Sequence, residues 1–316
     1  FNRGIQSPGI KDIEVIYGNR FGDLKALQNR YWDAVLDTSG FIPYTVQNTT
    51  NLLRDQVQHY TFISSISVYQ DWIQENLDEN YPVLEMSIEE ANQLSMDADG
   101  PIYQYYGHFK ALCEQIAEKN MPGRVLNIRA GQLIGPNDYT DRVPYWVNRI
   151  AKGGKVLVPG NPNRRVQMID NKDLANWILD MEEQRSSGTF NATGPDYPLT
   201  IKEFVDTCIK VTGSKADVVW AEEQFLLDRK VAPWTEMPLW VPENYPLSPE
   251  SVEPWKGAFS INVDKAIQSG LSFRPIEDSI TDIYEWEKTR QLTEDEWQAG
   301  MRADKEKELL NLLAKN

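Results

Sequence analysis

Two short stretches decide how this chain is read: Ser64-Ser65-Ile66-Ser67-Val68-Tyr69 and Tyr106-Gly107-His108-Phe109-Lys110. The serines close a run of strand composition over 60–64. Tyr106 and Lys110 stand four apart within a helical pattern over 102–119, so both side chains project from one face. An ammonium beside a phenol favours the phenolate and suits tyrosine to proton transfer near neutral pH. A serine hydroxyl at the carboxyl end of a strand, where open α/β sheets place ligands, can hold a substrate oxygen meanwhile. Taken alone, a Tyr-x-x-x-Lys spacing more often marks a half-buried tyrosine beside a solvated lysine. Position separates the two readings here. The pair opens the helix that follows the serine-rich strand end and leads into the next strand, 124–129.

Working outward, strands at 13–17, 34–37, 60–64 and 124–129 alternate with helices at 23–29, 45–56 and 102–119. That alternation predicts an α/β fold, a doubly wound parallel sheet covered on both faces. The acidic, weakly periodic segment 71–100 reads as a surface excursion. After Gly135-Pro136 the order is less regular: a helix at 145–151, strands at 155–158 and 166–169, a helix at 173–183 and a strand at 188–191. Thr200 is an N-cap for a helix over 201–211, with Glu203 completing a capping box. The stretch 233–254 holds too much proline for regular helix. A charged tail, 293–316, reads as one helix with a leucine seam.

Bulk composition narrows the classes. With 316 residues, 41% apolar and 25% charged, the chain fits a folded rather than a disordered protein. No run approaches the roughly 18 apolar residues of a membrane span, so no membrane partner is expected. A net charge of −15 opposes nucleic-acid binding through a general basic surface. Cys113 and Cys208 lie in helical patterns, so no disulfide framework is expected and a cytoplasmic location is. With only His59 and His108 and no paired cysteines, no metal site is expected.

SSISVY (64–69) followed by YGHFK (106–110) resembles the extended short-chain dehydrogenase/reductases, which include nucleotide-sugar epimerases, dehydratases and reductases. The likeness continues through IRAGQLIGPND (128–138), VQMIDNKDLANWI (166–178), FNATG (190–194) and GLSFRP (270–275). It implies a Rossmann-type dinucleotide-binding domain over 1–140 and 161–190, a smaller discontinuous substrate cap over 141–160 and 191–290, and a separate charged helix over 291–316. It also implies NADP or NAD as cofactor. By this resemblance Ser65 polarises the substrate oxygen, Tyr106 is the acid/base, and Lys110 also binds the nicotinamide ribose. Arg129-Ala130 stands where the family has Arg-Pro, and Arg129 falls among the cofactor-side residues.

Other positions keep two readings each. Asn19 resembles the family's adenine-contacting position, or with Gly18 forms a plain turn. Thr38, Ser39 and Gly40 either lie under the nicotinamide ribose or make a turn after their strand. Arg164 and Arg165 resemble a substrate-phosphate site, or are a solvated loop pair. Trp234, with Trp240 and Trp255, lines a pocket roof or packs a small core. Asp170 and Asp173 read as helix N-terminal charge rather than paired catalytic acids.

The family opens with a strand, a Gly-rich turn, a helix and a second strand. Phe1-Asn2-Arg3-Gly4 resembles the end of that second strand, so about 30 residues of βαβ opening are expected to be lacking. This places Asn2 and Arg3 beside the adenosine ribose, where an arginine favours NADP; the alternative for Arg3 is a frayed terminal charge. The expected activity is hydride transfer between NADP(H) or NAD(H) and a hydroxyl or carbonyl carbon of a small, nucleotide-sugar-like substrate. A homodimer formed through helix pairs, including the one that carries Tyr106, is expected by the same resemblance. The rival is a non-catalytic or RNA-binding relative, favoured by the unmatched Gly-rich turn and opposed by the −15 charge and the complete Ser65, Tyr106 and Lys110 set.

Overall fold

In the computed structural model, which describes residues 1–5, 9–96, 102–246 and 253–315, the apolar runs become strands and the periodic segments between them become helices. In chain order these are β1 (Trp32–Asp37), α1 (Pro43–Leu53), β2 (Val57–Ser65), α2 (Ile88–Met96), α3 (Tyr106–Asn120) and β3 (Val125–Ala130). There follow β4 (Gln132–Ile134), α4 (Arg142–Ala151), β5 (Gly154–Pro159), β6 (Met168–Asp170), α5 (Asn171–Glu183) and β7 (Gly188–Ala192). The remainder holds α6 (Ile201–Thr212), β8 (Ala216–Ala221), α7 (Glu223–Asp228), α8 (Asp264–Gln268), α9 (Ile276–Glu287) and α10 (Ala303–Leu313).

Contacts divide the chain into two units. The first comprises Phe1–Gln70, Glu79–Ala130 and Ile178–Ala192; the second comprises Asp71–Asp78, Gly131–Trp177 and Thr193–Asn316. Among the described residues, the first unit is built on a four-stranded parallel sheet in the order β1-β2-β3-β7. Its register aligns Asp37 with Phe62, Ser65 with Ala130, and Ala130 with Ala192, so the strands' carboxyl ends share one edge. β3 is buried along its whole length, as expected of an inner strand of a parallel sheet. Helices α1 and α3 pack together over this sheet, where Val46, Leu53, Phe62, Phe109, Leu112 and Ile116 form the core.

The second unit pairs β5 with β8 and β4 with β6, all parallel. Its core gathers Trp146, Val156, Val158, Phe204, Ile280 and Ile283. The Thr200–Glu203 capping box forms as read from the sequence.

Several expected elements take another form. Residues 13–17 make no strand; Asn2 and Tyr17 form a single parallel bridge, and Ile13 and Tyr17 stay 49% and 61% exposed. Pairing at one position cannot hold an extended run in register. The helix expected at 23–29 shrinks to a single 3-10 turn, Lys25–Leu27. The acidic segment contains α2, and the part of it beyond 96 lies outside the described residues, as do 247–252 of the proline-rich stretch. The tail is not one helix. A 3-10 turn at Glu294–Glu296 precedes α10, and Gly300 separates them with φ +116°. A Cβ on Gly300 would lie 2.1 Å from the Tyr145 ring, so the break is required by packing. Leu309 is buried in the second unit's core, and α10 therefore groups with that unit rather than standing apart. Residues 131–140 and 161–177 group there as well.

One close approach sets the geometry described next. Gly107, in the first turn of α3, lies so near the backbone at Ser67 that a Cβ would sit 2.1 Å from that carbonyl oxygen. Gly107→Ala should therefore push α3 off the turn that follows β2. The expected loss is on the order of 3 kcal/mol, the upper end of the overpacking range. Chemical denaturation checks this, and an unchanged midpoint would contradict it.

Candidate active site

The site grows from the carboxyl edge of the first unit's sheet. β2 ends at Ser65, whose hydroxyl accepts the Ser67 N–H at 3.1 Å and donates to Ser67 Oγ at 3.1 Å. This capping interaction turns the chain sharply into a short 3-10 segment, Ile66–Val68. The near-contact at Gly107 seats the first turn of α3 against that segment, which brings Tyr106 and Lys110 to the same strand end.

Lys110 is 5% exposed, and its Nζ donates to the Gly40 and Ile63 carbonyl oxygens, each at 2.6 Å. It also stands 4.8 Å from the Phe62 ring centroid and 5.8 Å from that of Tyr106. Burial disfavours the ammonium and pulls it from an ordinary 10.5 down to about 8. Half-buried Tyr106 packs its ring against Phe41, 5.4 Å between centroids.

Gly40 belongs to the 38–40 turn that follows β1, in which Thr38 and Ser39 are exposed and Gly40 is buried. A Cβ at Gly40 would meet the Phe62 ring at 2.5 Å and Asp37 Oδ2 at 2.9 Å. Asn19 is exposed and uses its side-chain oxygen on its own turn, accepting the Phe21 N–H at 3.1 Å. Its neighbour Arg20 reaches Asp37 at 2.6 and 2.7 Å, which ties the Asn19 turn to the 38–40 turn. Asn2 pairs with the 16–18 backbone, and Arg3 beside it is exposed.

Arg129, expected at the cofactor, has an internal role in the structure. Its guanidinium forks onto Glu114 at 2.9 and 3.1 Å, and both side chains are 7% exposed. Ser64 Oγ donates to the same Glu114 at 2.5 Å, and Arg129 also donates to the Glu79 carbonyl at 3.1 Å. Glu114 thereby joins α3 to β2 and β3. Burial opposes the Arg129 charge, but the Glu114 carboxylate outweighs it and holds the guanidinium above its ordinary range.

The second unit holds Arg164, Arg165 and Trp234. Arg164 donates to the carbonyls of Lys256 and Ala258 at 2.9 and 3.1 Å, so it orders its own loop. Arg165 has a buried Nε with no partner among the described residues. Trp234, in the left-handed region at φ +65°, faces Phe259 at 6.0 Å and the Arg142 guanidinium at 4.9 Å. Asp173 sits in the first turn of α5 and binds Arg274, while Asp170 accepts from Ser279; neither is arranged as a catalytic acid.

Sequence reading missed Arg20, Asp37, Tyr60 and Glu114. Glu114 was legible, since 106, 110 and 114 repeat at four-residue spacing on one helix face. Asp37 was visible as an acid closing an apolar run, but nothing local names its distant partners.

The family model described as NAD dependent epimerase/dehydratase matches residues 44–192. No curated protein matches the chain. Among solved structures, it is similar to a variant of UDP-glucuronic acid 4-epimerase from Bacillus cereus in complex with UDP-4-deoxy-4-fluoro-glucuronic acid and NAD. That match has 14% identity, covers 87% of this chain and 81% of the other, and has a TM-score of 0.59. WbmH from Bordetella bronchiseptica, in complex with NAD+, matches at 15% identity over 82% and 77%, with a TM-score of 0.55. RMD from Pseudomonas aeruginosa, complexed with NADPH, matches at 14% over 82% of each chain, with a TM-score of 0.52. At such identities the likeness establishes the fold.

The depressed lysine has a measurable consequence. Between pH 8 and 10.5 an unfolded Lys110 binds a proton that the folded one has released, so stability rises with pH across that window. Below pH 8 both states are protonated and the burial penalty is constant. The stability of the native chain relative to Lys110→Met should therefore rise by up to about 3 kcal/mol over the window. Urea unfolding of both proteins at stepped pH checks it, and a flat difference would contradict the burial.

Proposed function

We propose that this chain, whose residues 44–192 match the NAD dependent epimerase/dehydratase family model, transfers a hydride between NADP(H) or NAD(H) and a hydroxyl or carbonyl carbon of a small, nucleotide-sugar-like substrate. The observation that carries the reading is the seating of α3 by Gly107 on the Ser65–Ser67 turn, with Tyr106 and Lys110 on the helix face that Lys110 turns toward the sheet. Buried, unpaired thiols at Cys113 and Cys208 suit a reducing compartment, the cytoplasm.

The residues present fit a nicotinamide cofactor. Gly40 lacks the Cβ that would crowd its turn, and exposed Thr38 and Ser39 offer hydroxyls beside it. Two of the three Lys110 protons are committed to carbonyls, which aims the ammonium and leaves the third for a ribose hydroxyl. When bound, the nicotinamide ring supplies or accepts the hydride.

The chain's own groups manage the proton. Ser65 Oγ is held by the Ser67 N–H, and its own proton, now donated to Ser67 Oγ, can swing to a substrate oxygen. Tyr106 gives that oxygen its proton on reduction and takes it back on oxidation, and the neighbouring ammonium favours the phenolate.

Because the ammonium must stay protonated, turnover should fall on the alkaline side near pH 8 rather than 10.5. Tyr106→Phe should lower turnover by about 100-fold or more with the fold intact. The assay follows nicotinamide absorbance with NADP and NAD supplied separately against UDP-sugars and simple ketones. Arg3 motivates the NADP arm. Turnover in the phenylalanine variant equal to that of the native chain would overturn Tyr106 as acid/base.

A further inference from the structure

We propose that Asp37 is a positioning residue for Lys110: a buried carboxylate, braced by Arg20 and Tyr60, that fixes the turn whose Gly40 carbonyl holds the lysine's ammonium. The inference rests on the reading of Lys110 as the group that holds the cofactor ribose.

Asp37 ends β1 and is 7% exposed. Its two oxygens are fully engaged. Oδ1 accepts from Arg20 Nη1 at 2.7 Å and from the Ser39 N–H at 3.2 Å; Oδ2 accepts from Arg20 Nη2 at 2.6 Å and from the Tyr60 hydroxyl at 2.6 Å. Arg20 also reaches Ser39 Oγ at 3.3 Å, so the turn is held from two sides. Gly40 then rests directly against Asp37 Oδ2 and the Phe62 ring, with no space for a Cβ. Its carbonyl, one residue beyond the bonded Ser39, accepts a hydrogen bond from the Lys110 ammonium. A continuous set of bonds thus runs from Arg20 through Asp37 and the turn to the ammonium.

An apolar side chain would fill this strand end at less expense, because a buried ion pair rarely adds net stability. What the carboxylate adds is direction and charge. It orients the turn through the Ser39 N–H, and it places a negative group in the field of an ammonium that burial works to neutralise. Burial pushes the carboxyl up, but the Arg20 guanidinium, with the Tyr60 and Ser39 bonds, outweighs it, so Asp37 stays ionised. The charged and titratable groups facing Lys110 are Asp37 from β1, Arg20 from its turn, and Tyr106, Cys113 and Glu114 from α3. Asp37 and Glu114 help Lys110 keep its proton, and Arg20 opposes it.

That sign difference makes the test sharp. The Lys110 side chain is labelled with 13C at Cε, assigned by its loss in Lys110→Met, and titrated by NMR in the full chain. Asp37→Asn should lower the Lys110 midpoint by about one pH unit and move the alkaline limb of kcat/KM by the same amount. Asp37→Glu should restore both in part. Arg20→Gln removes the brace and its positive charge, while the Tyr60 and Ser39 bonds that also favour the Asp37 carboxylate remain; the Lys110 midpoint should move up while cofactor binding weakens. A purely structural role would lower stability without moving the midpoint in opposite directions. Unchanged midpoints in both folded variants would overturn the proposal, and if Asp37→Asn does not fold, an unmoved midpoint in Arg20→Gln does so alone. Midpoints that move as stated in a protein that binds no dinucleotide would support the positioning role and sink the proposed activity instead.

Discussion

An ammonium can sit in the interior of this sheet only because two backbone carbonyls accept hydrogen bonds from it, and that requirement organises the rest of the first unit. The Gly40 and Ile63 carbonyls that bind Lys110 come from the turn after β1 and from β2 itself. Both strands must therefore stop in register, and the helix that brings the lysine must approach closely enough for its Nζ to reach them. Gly107 allows the approach, and the parallel pairing of β1 with β2 supplies the register. A buried charge without such partners would deprotonate or stay in solvent.

Two buried ion pairs stand on either side of this lysine, and each ties different elements. Arg20 and Asp37 join the N-terminal loops to the end of β1; Glu114 and Arg129, with Ser64, join α3 to β2 and β3. Neither pair is a strong source of net stability, since desolvation offsets most of the attraction. Breaking one partner, however, strands a buried charge, so each pair acts as a geometric lock. Tyr69 adds a third tie, donating to Asn191 on β7 at 2.5 Å while Arg129 lies over its ring at 5.1 Å; burial pushes its phenol up to about 12.

How much of this was legible in the sequence depends on whether the signal is local. Helix spacing put Tyr106 and Lys110 on one face, apolar runs gave β1, β2, β3 and β7, and the Thr200–Glu203 cap was readable residue by residue. Strand formation at 13–17 was misread because strand composition does not say whether a partner strand runs alongside. The tail was misread because Gly300 breaks it for the sake of the Tyr145 ring, a contact more than a hundred residues away in sequence. Arg129 was read as a cofactor-side residue because nothing local pairs it with Glu114, and the structure turns its guanidinium inward onto that carboxylate. For Arg164 and Trp234 residue type left a ligand contact and a structural role both open, and the structure gives each an internal partner.

The measurement that bears most directly on the account is equilibrium binding of NADPH, followed by its fluorescence at fixed salt, to the native chain and to Lys110→Met. If Lys110 holds the ribose with its remaining proton, loss of that charge-assisted hydrogen bond should weaken binding by about tenfold or more. Equal affinity in two folded proteins would mean that the buried ammonium serves only the packing of this sheet, and the assignment of the site would fall with it.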